Sequence, residues 1–164
     1  MTIKVGDQLP KATFMIMAAE GPEPCDSDKI FKGKKIVLVA IPGAFTPTCS
    51  LNHLPGYINE ANAIMENGVD AIAVTAVNDI FVLDAWAKQS GGKDKAIFLA
   101  DGNGDFAKAI GLTFDASVSG MGTRSLRYSM LVDDGIVKIL NIEENPGKAT
   151  ISDAGHMLDA LQKG

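Results

Sequence analysis

Ile36-Val37-Leu38-Val39-Ala40-Ile41-Pro42-Gly43-Ala44-Phe45-Thr46-Pro47-Thr48-Cys49 is the stretch on which the fold turns. Its first six residues are an unbroken apolar run of strand length and predict a buried strand. Ser50-Leu51-Asn52-His53-Leu54-Pro55-Gly56-Tyr57-Ile58 follows and begins a helix. Cys49 therefore falls where a strand hands over to a helix. Backbone N–H groups there have no intrahelical partner and carry partial positive charge. A thiolate in that position is stabilised relative to its thiol, which makes Cys49 a candidate nucleophile.

Composition narrows what such a nucleophile serves. The 164 residues suffice for one domain, expected to span 1–164, with a proper core. Apolar residues make up 46% and mean hydropathy is +0.13, which excludes disorder. The net charge is −5 and no basic run forms a phosphate-binding stripe, against nucleic acid as a partner. No apolar stretch approaches the roughly 20 residues that span a bilayer, and the first seven residues lack a signal-peptide core, so a soluble cytoplasmic protein is expected. Cys25 and Cys49 are the only cysteines, too few for a disulfide scaffold and not in a CxxC pair. His53 and His156 are too far apart to read as a metal pair on one helix, so no metal is expected.

Outward from the opening stretch, periodicity and turn signals predict strands over 35–41, 69–76, 96–100, 126–132 and 136–142, the last two joined by Asp133-Asp134-Gly135. Helices are expected over 48–66, 79–89, 105–110 and 152–161, the last capped by Ser152 or Asp153, with Asn78-Asp79 opening the second. Gly21-Pro22-Glu23-Pro24 reads as the tip of an N-terminal hairpin. The order predicts an α/β fold whose mixed central sheet is flanked by helices, compatible with a thioredoxin-like fold.

Pro42-Gly43-Ala44-Phe45-Thr46-Pro47-Thr48-Cys49 with His53-Leu54-Pro55-Gly56 resembles the active-site segment of the peroxiredoxins, in the atypical type II or Prx5-like group. Val77-Asn78-Asp79 with Ala85-Trp86, Leu99-Ala100-Asp101-Gly102, and Gly122-Thr123-Arg124-Ser125 running into Arg127-Tyr128-Ser129 resemble the same group, so the likeness covers roughly residues 3 to 162. It implies a thiol peroxidase acting on hydrogen peroxide and organic hydroperoxides without metal, haem or flavin. The chemistry needs a thiolate, a means of aligning the two oxygens, and donors for the leaving oxygen. The resemblance gives these roles to Cys49 as peroxidatic nucleophile, to Thr46, which can accept from peroxide and donate to the thiolate, to Arg127 as fixed cation on the later strand, and to Pro42 as a shield from bulk water. Arg124 either binds near the pocket or supports Arg127. For His53, a packing or hydrogen-bonding role is preferred to tuning the site.

The second half of the cycle is less determined. Relatives carry a resolving cysteine in the strand after the active-site helix or near the start of the last helical segment. This chain has none in Ala71–Ala76 or Lys148–Ser152. Cys25, in the expected hairpin loop, matches neither position and reads as an incidental thiol, with a thioredoxin-linked two-cysteine cycle through Cys25 as the alternative. A Cys49 sulfenic acid resolved by glutathione, with glutaredoxin clearing the mixed disulfide, is the working expectation. A redox-signalling or chaperone-type adaptor would use the same residues. A cysteine hydrolase ranks far lower, because His53 on the same helix is poorly placed as a base. The resemblance also implies a homodimer, to which Phe45 can contribute.

Overall fold

The computed structural model describes residues 2–164; Met1, included in the expected 1–164 span, lies outside the described residues. The chain enters through the hairpin β1 (Thr13–Ala18) and β2 (Gly21–Asp26), followed by the short helix α1 (Ser27–Phe31). β3 (Lys35–Ile41) leads into a π-helical turn at Cys49–His53, then α2 (Leu54–Asn59) and α3 (Ala61–Glu66). β4 (Ala71–Ala76), α4 (Ile80–Gln89), β5 (Ile97–Ala100) and α5 (Asp105–Ala109) follow. A small two-stranded sheet, β6 (Thr113–Asp115) with β7 (Thr123–Ser125), precedes β8 (Tyr128–Asp133), β9 (Ile136–Ile142) and α6 (Ala154–Lys163).

Seven strands form one mixed sheet in the order β2-β1-β5-β4-β3-β8-β9. β3, β4 and β5 are parallel, while β8, β9 and the N-terminal hairpin are antiparallel additions. β3 lies between β4 and β8 and is covered on both faces. Ile36, Leu38 and Ala40 point to a core shared with Phe14, Phe31 and Phe106, while Val37 and Val39 point to Tyr57, Ile64 and Met157. Two buried faces explain the unbroken apolar run. Trp86 and Leu83 of α4 extend the second face toward Ile41 and Cys49. Among the described residues, no helix is long and apolar enough to cross a membrane.

Several boundaries differ from expectation for identifiable reasons. Gly21-Pro22-Glu23-Pro24 is not the hairpin tip; the turn is at Ala19-Glu20, and both prolines sit in β2 opposite Met17 and Met15. β2 is an edge strand, where prolines two residues apart can turn their missing donors to the open side. Cys25 is therefore a strand residue paired with Phe14, not a loop residue. The helix expected over 48–66 is divided. Pro55 offers no N–H to the carbonyl of Leu51, and its ring crowds that turn, so the Leu54 N–H reaches back to Cys49 O in a π-type bond. Glu60, at φ −97 and ψ 8, separates α2 from α3. The last helix starts at Ala154, capped by Asp153 accepting from His156 N–H at 2.9 Å, which leaves Ser152 outside it. β6, β7 and α1 were not foreseen, being too short to show a period.

Phe14 is fully buried with its ring centroid 5.0 Å from that of Phe106. Phe14→Ala is expected to cost about 3–5 kcal/mol, read as a lower urea midpoint. A loss below about 1 kcal/mol would contradict the packing described.

Candidate active site

The site is assembled on the loop between β3 and the helical run. Phe45 takes a φ of 65, a left-handed conformation rare for a bulky residue, and turns the chain toward Thr46. Asn78, ahead of α4, accepts the Ala44 N–H at 2.8 Å. Arg124 holds the other side, donating from Nε to Met121 O at 2.9 Å and from Nη1 to Pro42 O at 3.4 Å. A Cβ on Gly43 would lie 3.1 Å from Arg124 Nη1 and 3.2 Å from Met121 Cε, so a larger residue there would push these side-chain ends away by a few tenths of an ångström. Arg124 thus braces the Pro42-Gly43 turn; its hydrogen bonds go to backbone carbonyls and not to Arg127. Thr46 receives the Ser50 N–H on its carbonyl at 2.9 Å and starts the helical run. Its hydroxyl donates to Gly43 O at 2.6 Å. The proton expected to reach the thiolate is committed to the backbone, while the Thr46 Oγ1 lone pairs remain available to a donor.

Cys49 is fully buried in the first turn of the run. Arg127 Nη2 donates to its Sγ at 3.0 Å. Arg127 is 1% exposed and precedes β8, one residue short of the strand on which it was expected. Its other donors are also engaged: Nε with Pro146 O at 2.9 Å and Nη1 with His53 Nδ1 at 3.0 Å. A buried guanidinium needs such partners, and its planar fork lets one side chain face three groups at fixed angles.

The His53 contacts define its tautomer. Nδ1 accepts from Arg127, so the proton resides on Nε2, which donates to Ser152 O at 3.0 Å. Burial pushes the His53 pKa down to about 4; the Ser152 carbonyl opposes this, and the Arg127 cation adds to it. The unfolded chain, with His53 near 6.5, then binds the extra proton first as pH falls, so stability must decline from pH 6.5 toward 4. The full loss amounts to about 3 kcal/mol. Urea midpoints at pH 7 and pH 5 are expected to converge in His53→Gln relative to the parent protein; an equal fall in both would contradict the assignment.

Sequence reasoning passed over the residues behind this pair. Glu143, just past β9, is 4% exposed, and its carboxylate accepts from Thr150 N–H, Thr150 Oγ1, Ile151 N–H, Ser152 N–H and Ser152 Oγ at 2.5–2.9 Å. Tyr57 donates its hydroxyl to Ser152 O at 2.7 Å. Trp86 Nε1 donates to Ser50 Oγ at 2.9 Å and fastens α4 to the cysteine turn. The available signal was a lone carboxylate closing an apolar strand, followed by a Thr-x-Ser segment.

Cys25 is not brought to Cys49. β2 and β3 are four steps apart in the sheet, roughly 19 Å at about 4.8 Å a step. Cys25 packs against the core of Phe14, whereas Cys49 belongs to the core of Trp86. A disulfide needs Cα atoms within about 7 Å. Burial pushes the Cys25 thiol up, so it also presents less thiolate.

The geometry thus sets a buried cysteine, in the first turn after the central strand, against a fixed guanidinium. The Redoxin family matches residues 4–158. The chloroplastic peroxiredoxin-2E of Arabidopsis thaliana is 43% identical over 98% of this chain and 70% of its own length. The structure of reduced Prx3 from Vibrio vulnificus in complex with hydrogen peroxide is 44% identical, with a TM-score of 0.93 over 98% of this chain and 99% of that one. The Plasmodium falciparum antioxidant protein, described as a 1-Cys peroxiredoxin, is 32% identical, with a TM-score of 0.91 over 99% of this chain and 100% of that one. The chain belongs to the peroxiredoxins of the Redoxin family, on a thioredoxin-like fold. It is a thiol-dependent peroxidase.

Proposed function

We propose that this single domain reduces hydrogen peroxide and organic hydroperoxides with Cys49 as the peroxidatic nucleophile. The observation that carries the reading is the 3.0 Å contact between Arg127 Nη2 and Cys49 Sγ. The Cys49 thiolate attacks one peroxide oxygen; the S–O bond forms as the O–O bond breaks, sulfur is oxidised to sulfenic acid, and the leaving hydroxide or alkoxide takes a proton to give water or alcohol. Arg127 stabilises the thiolate and the charge passing to the leaving oxygen. Thr46 Oγ1 accepts from the peroxide O–H, and Pro42 keeps bulk water from the sulfur. Trapping with dimedone after one equivalent of hydrogen peroxide is expected to label Cys49 and spare Cys25. Label on Cys25 alone would overturn the assignment.

The reductant we favour is glutathione. A first glutathione thiol condenses with the sulfenic acid, releasing water and leaving a Cys49–glutathione disulfide, and glutaredoxin then reduces that disulfide. The separation of Cys25 from Cys49 supports a one-cysteine cycle, as does the one-cysteine description of the Plasmodium relative. Because Cys49 is buried, glutathione reaches it only when the cysteine turn loosens. Mass spectrometry after peroxide and glutathione is expected to find the Cys49 adduct; a Cys25–Cys49 disulfide instead would favour a thioredoxin-linked cycle. Two unbridged cysteines suit a reducing, cytoplasmic location. A homodimer is proposed through the loop face where Phe45 stands 46% exposed, and sedimentation at micromolar concentration tests it.

A further inference from the structure

Arg127 reaches Cys49 through one of its three donor groups; the other two are fixed by the segment 143–152, directly at Pro146 O and through His53 at Ser152 O. That segment lies outside the regular elements, between the end of β9 and the start of α6. Two backbone bonds, Glu143 N–H to Arg127 O and Lys148 N–H to Asn145 O, and the Gly147 N–H on Asn145 Oδ1 shape its first half. Glu143 shapes the second: one carboxylate collects both polar groups of Thr150, the Ile151 N–H and both donors of Ser152. With the Ser152 N–H and hydroxyl held from one side, its carbonyl is turned to the other, toward His53 Nε2 and the Tyr57 hydroxyl. The middle of the same segment is tied to the active-site helix by Thr48 Oγ1 donating to Gly147 O at 2.7 Å.

We propose that Glu143 is a positioning residue for peroxide attack: by gathering Thr150, Ile151 and Ser152 it aims the Ser152 carbonyl at His53 Nε2–H, leaves Nδ1 as acceptor for Arg127, and so points Arg127 Nη2 at Cys49. The chain of contacts runs Glu143, Ser152, His53, Arg127, Cys49, every member at most 4% exposed. Water does not compete along it; His53 Nε2 faces Ser152 O at 3.0 Å and, less closely, Ser152 Oγ at 3.3 Å. If Ser152 swung away, the buried imidazole would lose both oxygens that face Nε2 and fix its tautomer. The Nε2-unprotonated form would then meet Arg127 with a donor where it needs a lone pair. Asp153, which caps α6, is the other nearby carboxylate; its side chain is spent on the His156 backbone and ring. Among the five donors on Glu143 four meet Oε2 and one meets Oε1, so a glutamine placing its oxygen at Oε2 can keep most of the set, whereas alanine keeps none.

This inference rests on Cys49 being the peroxidatic residue, and its test separates the two. The readout is the ratio of two rates on the same reduced protein, oxidation of Cys49 by hydrogen peroxide and alkylation of Cys49 by iodoacetamide. Both reactions need the thiolate and access to the buried sulfur; peroxide attack also needs the aimed guanidinium. Glu143→Ala is expected to lower the ratio about tenfold or more, and Glu143→Gln to recover most of it. Nitrogen-15 spectra of the histidines should show His53 as the Nε2–H tautomer in the parent protein and in Glu143→Gln, and a tautomer mixture in Glu143→Ala. If Glu143→Ala does not fold, Glu143→Asp, whose shorter side chain withdraws the carboxylate, carries the same expectation. A folded Glu143→Ala or Glu143→Asp variant with the parent ratio and the parent His53 spectrum would overturn the role of Glu143. Slow peroxide oxidation of Cys49 in the parent protein would instead overturn the peroxidase assignment to Cys49.

Discussion

Replacing Cys49 by Ser is expected to reduce peroxide turnover to the uncatalysed reaction of peroxide with the supplied thiol. A serine hydroxyl is not ionised near neutral pH, and an oxygen nucleophile has no sulfenic state through which electrons from a second thiol can return. The substitution is nearly isosteric, and Cys49 is packed with Ile41, Leu54 and Trp86 without bonding a second residue covalently. The fold should therefore survive, and circular dichroism with a urea midpoint separates loss of chemistry from loss of structure. Cys25→Ser should leave the first oxidation step at the parent rate, because Cys25 faces a different core. Turnover persisting in Cys49→Ser and vanishing in Cys25→Ser would reverse the assignment.

The second large effect belongs to Arg127. Arg127→Ala removes the only side-chain donor recorded on Cys49 Sγ among the described residues and leaves His53 Nδ1 and Pro146 O without their partner. Loss of one aimed donor at a developing charge typically costs about 10²–10³ in rate. Slower oxidation of Cys49 by peroxide is expected on that scale. Arg127→Lys is informative because it keeps the charge and loses the fork. An ammonium cannot face Sγ, Nδ1 and the Pro146 carbonyl at once, so the lysine variant should exceed alanine yet remain far below the parent in peroxide attack. Equal peroxide rates in Arg127→Lys and the parent would show that charge alone is sufficient and that the aim of the fork is not used.

How much of this was legible in the sequence depends on the range of the signal. The central strand was readable to the residue because Lys35–Ile41 is buried on both faces and shows no alternation to misread. The β8–β9 hairpin was readable because Asp134 and Gly135, both at positive φ, are what a tight turn between strands demands. The N-terminal hairpin was found but misplaced, since Pro22 and Pro24 signal a turn by composition and only the sheet order shows them on an open edge. At the site, the local unit from Pro42 to His53 was visible as a motif. The residues that meet it from elsewhere were less so. Arg127 entered through the resemblance, Ser152 was read only as a candidate helix cap, and Glu143 was missed, because a charged residue after a strand looks like a solvated one until the loop that folds over it is known. Thr46 shows the same limit at shorter range: its type was readable, but the carbonyl that takes its proton belongs to a turn set by Phe45, Asn78 and Arg124.

The most direct test of the Cys49–Arg127 pairing is stopped-flow oxidation of the reduced Cys25→Ser protein by one equivalent of hydrogen peroxide at neutral pH, compared with free cysteine and with Cys25→Ser,Arg127→Ala. The pairing predicts oxidation of Cys49 far faster than that of the free thiol, with most of the advantage lost when Arg127 is removed. Oxidation of Cys49 no faster than free cysteine, or an advantage unchanged without Arg127, would contradict it.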